Sequence, residues 1–222
     1  MTYFSPALFR FLSELKAHNT RAWFEEHRGR YERDVKEPML RFIADVGDPL
    51  RSISPHFKAD PRPVGGSMFR IHRDVRFSKD KSPYKTNLGA HFPHLRGSRD
   101  VHAPGFYLHL EPGKSLGGGG LWHPDPKALG MVRQRISGRP AEWRRARQSG
   151  IAIEGGALRR VPAGYDPEHQ FANDIKRKDF YTMTGFTDRQ VCSSHFMDLF
   201  IAACRSASPL VMFLSRSLNL PW

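Results

Sequence analysis

Near the N-terminus apolar positions recur three and four residues apart, with Leu8, Phe11, Leu12 and Leu15 on one helical stripe. Ser5 is placed as N-cap and Pro6 at the first helical position, Phe4 can staple onto Phe9, and the helix is predicted to end near His18 and Asn19. Thr20 caps a second predicted helix carrying Trp23, Phe24, His27 and Tyr31. Glu37 and Pro38 open a third, with Leu40, Phe42, Ile43 and Val46, before a Pro- and Ser-rich exit between Asp48 and Pro63. Residues 5–53 thus read as a helical layer.

From Gly65 the period changes to two. Phe69, Ile71, Val75 and Phe77 alternate with Arg70, His72, Asp74 and Arg76; Leu88, Ala90 and Phe92 with Asn87, Gly89 and His91; Phe106, Leu108 and Leu110 with Tyr107, His109 and Glu111. These predict strands with one dry and one wet face. The run Ser115 to His123, with its four consecutive glycines, fits either a glycine-bearing strand or a loop. Beyond it the chain reads mainly as helix: Asp125-Pro126 starts a segment with Leu129, Val132 and Ile136, Pro140 starts another through Trp143, and a shorter one is predicted over Glu168 to Lys178. Thr187 and Gln190 form a capping box for a helix through Phe196, Phe200 and Ala203, and Ser208-Pro209 is predicted to restart a final turn or two. The expected fold class is α+β, an antiparallel sheet with helices packed mainly on one face. Residues 1–222 are read as a single domain, made of the 5–53 helical layer, a 65–123 sheet-rich core and a mainly helical 125–222 remainder.

A chain of 222 residues can bury a full core without staples. Cys192 and Cys204 fall on one predicted helical stretch, about 18 Å apart at a 1.5 Å rise, too far for a disulfide. No run approaches the roughly 18 uncharged apolar residues of a membrane span, and MTYFSPALFRFLSEL lacks the basic start of a signal peptide, so a cytoplasmic protein with no membrane partner is expected.

Charge sharpens the picture. The net charge of +13 is spread over both halves of the sequence, which predicts folded basic surfaces and anionic partners. Its densest window, residues 70–85, holds six Lys/Arg against two Asp. Guanidiniums grip phosphate bidentately and lysines add point charge, so Arg70, Arg73, Arg76, Lys81, Tyr84 and Lys85, with Tyr107, are the candidate ligand-binding residues. Arg73 shares the phase of the apolar positions, which predicts burial and a carboxylate partner, Asp80 being the nearest.

This window also carries a resemblance. RIHRDVRFSKDKSPYKTNLGAHF, with NTRAWFEEHRGRYERDVKEP before it, GFYLHLEPG and the Gly-run-Trp-His-Pro after it, and RRVPAGYD at 159–166, closely resembles the bacterial domain of unknown function 2461 family over nearly the whole chain. The resemblance implies a single α+β domain and brings no activity with it.

If the three strands are neighbours, His72, His91 and His109 project from the wet face with Asp74 and Glu111, and are the candidate acid–base residues. His91 and His94 are three apart and point to opposite faces, so a metal site is not expected, and no cofactor signature is present: the glycine run lacks the Gly-Lys-Ser/Thr ending of a phosphate loop. The favoured expectation is an anionic, phosphorylated small molecule bound at a basic sheet-face pocket where Arg70, Arg76, His91 and His109 meet, with acid–base chemistry attached. The alternative is a non-enzymatic nucleic-acid-binding protein that also uses Arg133, Arg135, Arg139, Arg144, Arg145 and Arg147, with Trp143 either stacking a base or anchoring a core.

Overall fold

In the computed structural model, which describes residues 1–97, 103–147 and 152–222, the N-terminal layer comprises α1 (Pro6–Ala17), α2 (Arg21–Glu26), α3 (Arg28–Tyr31) and α4 (Glu37–Arg51). Ser5 and Thr20 cap α1 and α2 as expected, their hydroxyls accepting from Ala7 N–H and Trp23 N–H. One π-turn, Glu32–Lys36, joins α3 to α4. It lies just before Pro38, which has no N–H to return to the carbonyl of Asp34, and the wider turn absorbs that break. Helix α4 runs on through Pro49, past the predicted exit.

Four antiparallel strands form the sheet in the order β1 (Leu88–Pro93), β2 (Gly105–Leu110), β3 (Ser115–Leu121) and β4 (Phe180–Phe186). The chain is therefore α+β, and the glycine run is a strand. Two strand expectations are overturned. Residues 69–77 form no strand: the segment from Gly65 to Asn87 is an arm that folds on itself at the isolated bridge His72 to Tyr84 and meets β1 through the bridge Met68 to Ala90. Its alternation is only partly a burial pattern, since Ile71 is 5% exposed but Phe77 is 95% exposed. The strand that completes the sheet, β4, comes instead from the supposed helical remainder, where only Ala172–Ile175 (α7) of the predicted 168–178 helix forms.

Helices α5 (Pro126–Gly138) and α6 (Pro140–Ala146) follow β3, and α8 (Asp188–Val191) and α9 (Phe196–Ser217) follow β4. Asp125 caps α5, accepting from Lys127 N–H and Ala128 N–H, and Thr187 and Gln190 form their capping box on α8. That box does not open one long helix, because the chain breaks after Cys192; Cys192 and Cys204 lie on separate segments, and both are free thiols. Nor does Pro209 start a new helix. It sits inside α9, where the Arg205 carbonyl it leaves without a donor accepts from Ser208 Oγ at 2.8 Å.

Helix α9 is the spine of the core. Its Phe200 and Val211 belong to a cluster with α1, α4 and the sheet, including Phe4, Phe42, Phe92 and Phe106, while Leu210, Phe213 and Leu214 join Trp143, Ile136 and Phe180 in a second cluster. By length and mean hydropathy α9 could cross a membrane, contrary to the reading of the sequence, yet half of its apolar window is buried against the fold, as in a core helix. It closes on β3 because that strand offers glycines: a Cβ on Gly117 would lie 2.8 Å from Phe200, and one on Gly119 2.8 Å from Val211.

Candidate functional site

The register of the sheet divides its faces. Phe106 and Leu108 pair with Gly119 and Gly117 under α9, so Tyr107 and His109, which pair with His91 and Gly89 on β1 and with Gly118 and Leu116 on β3, share the second face. Met183 and Gly185 of β4 continue it. The expectation that His91, Tyr107 and His109 lie together is met.

Three side chains hold His109. Its Nδ1 lies 3.2 Å from Asn87 Nδ2 and 3.3 Å from Tyr107 Oη, two donors, which leaves Nε2–H to donate to Glu111 Oε2 at 3.2 Å. The His109 and Glu111 side chains are about one-fifth exposed. Burial pushes the Tyr107 phenol up to about 12, so it stands as a proton donor to the imidazole. Phenol, imidazole and carboxylate thus form a hydrogen-bonded relay along β2.

Phe69 joins this relay to the basic arm. Predicted to lie on the dry face, it instead covers the second face of the sheet, its ring 6.4 Å from His91 and 6.0 Å from Tyr107. Glycine at position 89 makes room, since a Cβ there would fall 2.8 Å from Tyr107 Oη and 3.2 Å from the Phe69 ring. Lys85 Nζ lies 5.3 Å from the centroid of that ring and donates to the Arg70 carbonyl at 2.9 Å. Burial, and then the Arg70 charge beside it, pull the Lys85 ammonium below the ordinary lysine range.

Other sequence-derived candidates have partners of their own, because the arm is not a strand. His72 stands 5.2 Å from Tyr84 and 6.4 Å from Phe24, beside the helical layer. Tyr84 is buried, stacked 4.1 Å from Phe24 and held through its backbone by both ends of the Asn19 amide. Arg76 folds back on Asp74, drawing that carboxyl down to about 2, and its side chain is 77% exposed. Arg73 does pair with Asp80, clamping the turn between them, but is half-buried and not sunk in the core. Lys81 donates to the Val75 carbonyl at 3.0 Å. Of the expected set, Arg76 pairs with Asp74, whose carboxyl also feels the Arg70 charge, and Arg70 accepts from Lys85 through its carbonyl.

The second basic cluster is largely committed internally. Trp143 is fully buried and cannot stack a base; its Nε1–H donates to Asp174, which also pairs with Arg147 and Arg177. Arg135 pairs with Glu142, Arg133 donates to the Arg177 carbonyl, and Arg144 to Gln170. Among the described residues no group of three or more His, Cys, Asp or Glu is placed to hold a metal.

Phe69 and Asn87 were the members that sequence reasoning did not single out. Asn87 carries the same wet phase as His91, a usable signal, whereas the phase of Phe69 pointed the wrong way.

Architecture and site together define an α+β protein whose antiparallel sheet is covered by a helix on one face and carries a polar relay on the other. The chain belongs to the family described as Conserved hypothetical protein (DUF2461), which matches residues 7–213. No curated protein and no solved structure matches it.

Proposed function

We propose that the second sheet face, beside the Phe69 ring, binds a phosphorylated or otherwise anionic small molecule, with Lys85 and Arg70 supplying charge and His109 supplying acid–base capacity. One observation carries this reading. Lys85 is held partly desolvated on an aromatic ring, and the neighbouring charge that most affects it has its own sign, an arrangement that costs stability and that a bound anion would relieve. The same ring packs against His91 and Tyr107, so an anion at the ammonium is one aromatic ring away from the His91 imidazole. Tyr107, His109 and Glu111 then offer a proton path beside it.

The test is an NMR titration of the full chain with inorganic phosphate at constant ionic strength. Ring signals of His91 and His109 should move with a saturable profile while those of His94, buried elsewhere, stay fixed. Uniform drift of all histidine signals, or none, would remove this reading. Nucleic-acid binding predicts instead a broad response extending to the exposed Arg139 and Arg145.

A further inference from the structure

Beyond His109 the second face of the sheet does not end but drops. Across β3 the residue beside His109 is Leu116, and across β4 the residue beside Leu116 is Gly185. Tyr107 is flanked in the same way by Gly118 and then Met183. Leu116, Met183 and Gly185 form the floor of a cleft of about 680 Å³ that is walled by the turn after β2, by Glu154 and by the start of α8. A Cβ built on Gly185 meets nothing within 4 Å, so the floor is open at that point. The charges on its rim are Lys114 against Glu154 and Asp188, a balance that disfavours an anion inside the cleft and suits an uncharged body.

One face of the sheet therefore offers a cationic end at Lys85 and Arg70, a proton relay in the middle and an apolar trough beyond. From β1 to β3 the span is about 10 Å at the usual strand spacing of about 4.8 Å.

We propose that the ligand is an amphipathic phosphate monoester, its phosphate beside Lys85 and Arg70 and its apolar body laid across Tyr107 and His109 into the trough of Leu116, Met183 and Gly185. This rests on the anion-binding reading above and adds the shape and chemistry of the rest of the molecule. The phosphate end is recognised by charge and the far end by apolar area, so affinity must rise when a chain long enough to cross two strands is attached to the phosphate.

The experiment is calorimetric titration of the full chain with inorganic phosphate, butyl phosphate and octyl phosphate below micelle-forming concentrations. Octyl phosphate should bind about tenfold or more tighter than inorganic phosphate, the gain from burying roughly two methylenes. Butyl phosphate, too short to reach Leu116, should gain little. Gly185→Leu, which fills the open floor where a side chain has room, should erase the octyl gain and leave inorganic phosphate binding unchanged. Met183→Ser is the second probe, expected to reduce the gain several-fold, should the leucine disturb β4. Equal affinities for all three ligands, or an octyl gain that survives both substitutions, would overturn this inference and leave the anion site standing. Failure of every ligand to bind would remove both.

Discussion

Asp174 accepts the indole N–H of Trp143 at 2.9 Å with both residues buried, and the same carboxylate holds Arg147 and Arg177. One short helix thus ties the second core cluster to Arg177 and to Arg147, one of the arginines that look, in sequence, like a nucleic-acid surface. Removing the carboxylate strands an indole donor in the core and takes the partner from both guanidiniums. Asp174→Ala should destabilise the protein by about 3 kcal/mol in chemical denaturation, and Trp143→Phe by about 1 to 3 kcal/mol through the lost hydrogen bond and the gap left behind. A change under about 0.5 kcal/mol for Asp174→Ala would show that this junction is not a stabilising one.

The glycines of β3 and β4 make opposite predictions. Gly119→Val places atoms where Val211 and Phe106 already are and should lower the melting temperature severely or prevent folding, because overpacking a closed core costs about 1 to 3 kcal/mol and often more. Gly185→Ala meets open space and should melt within a degree or two of the parent. Parallel thermal melts of the two variants separate a helix-packing surface from an open one.

His94 gives the fold a pH dependence. Its ring is fully buried, Nε2–H donates to the Pro221 carbonyl at 2.9 Å, and Nδ1 accepts from Arg96 N–H at 3.2 Å, so the neutral imidazole is the form that fits. Burial lowers its affinity for a proton below that of the unfolded chain, whose histidines titrate near 6.5. The unfolded state then binds more protons in acid, so the stability due to His94 is complete above about pH 6.5 and is lost as pH falls through the lower folded value. Urea midpoints measured between pH 8 and pH 5 should fall on the acid side, and His94→Gln should flatten that part of the curve. An unchanged slope in the variant would assign the effect to other groups.

How much of this was legible in the sequence depended on whether a local rule coincided with a tertiary one. Ser5, Thr20, Asp125 and Thr187 are caps whose hydrogen bonds close within three residues, and all four read correctly. The phase of Leu88, Ala90 and Phe92 against His91, and of Phe106 and Leu108 against Tyr107 and His109, placed half the site because these strands are buried on one face only. The same rule failed at 69–77, where alternation of charge and apolar groups lies on an arm held by Arg73–Asp80 and by two bridges, with no ladder beside it. It also passed over β4, although Phe180, Thr182, Thr184 and Phe186 alternate toward α9, since its neighbour β3 is distant in sequence. That Phe69 would turn onto Gly89 and carry Lys85 with it follows from where the arm crosses the sheet, which no local pattern encodes.

Arg73 and Asp80 set the expectation for the arm itself. The Asp80 carboxyl is held well below the usual carboxylate range first by Ser82, through hydroxyl and backbone, and then by Arg73. Arg73→Ala should therefore loosen the turn, seen as faster amide exchange over residues 78–84, with only a small change in global melting temperature because the pair is open to solvent. A large global loss would mean that the arm is part of the cooperative core.

The most direct measurement is the shift in melting temperature produced by inorganic phosphate at constant ionic strength, for the parent protein and for Lys85→Ala, Arg70→Ala and Arg76→Ala. A ligand that binds only the folded chain stabilises it in proportion to the logarithm of its saturation. The account predicts a concentration-dependent rise in the parent, its loss in Lys85→Ala, its reduction in Arg70→Ala, and an unchanged rise in Arg76→Ala, whose guanidinium is already taken by Asp74. A rise that persists undiminished in Lys85→Ala, or the absence of any rise in the parent, would contradict it.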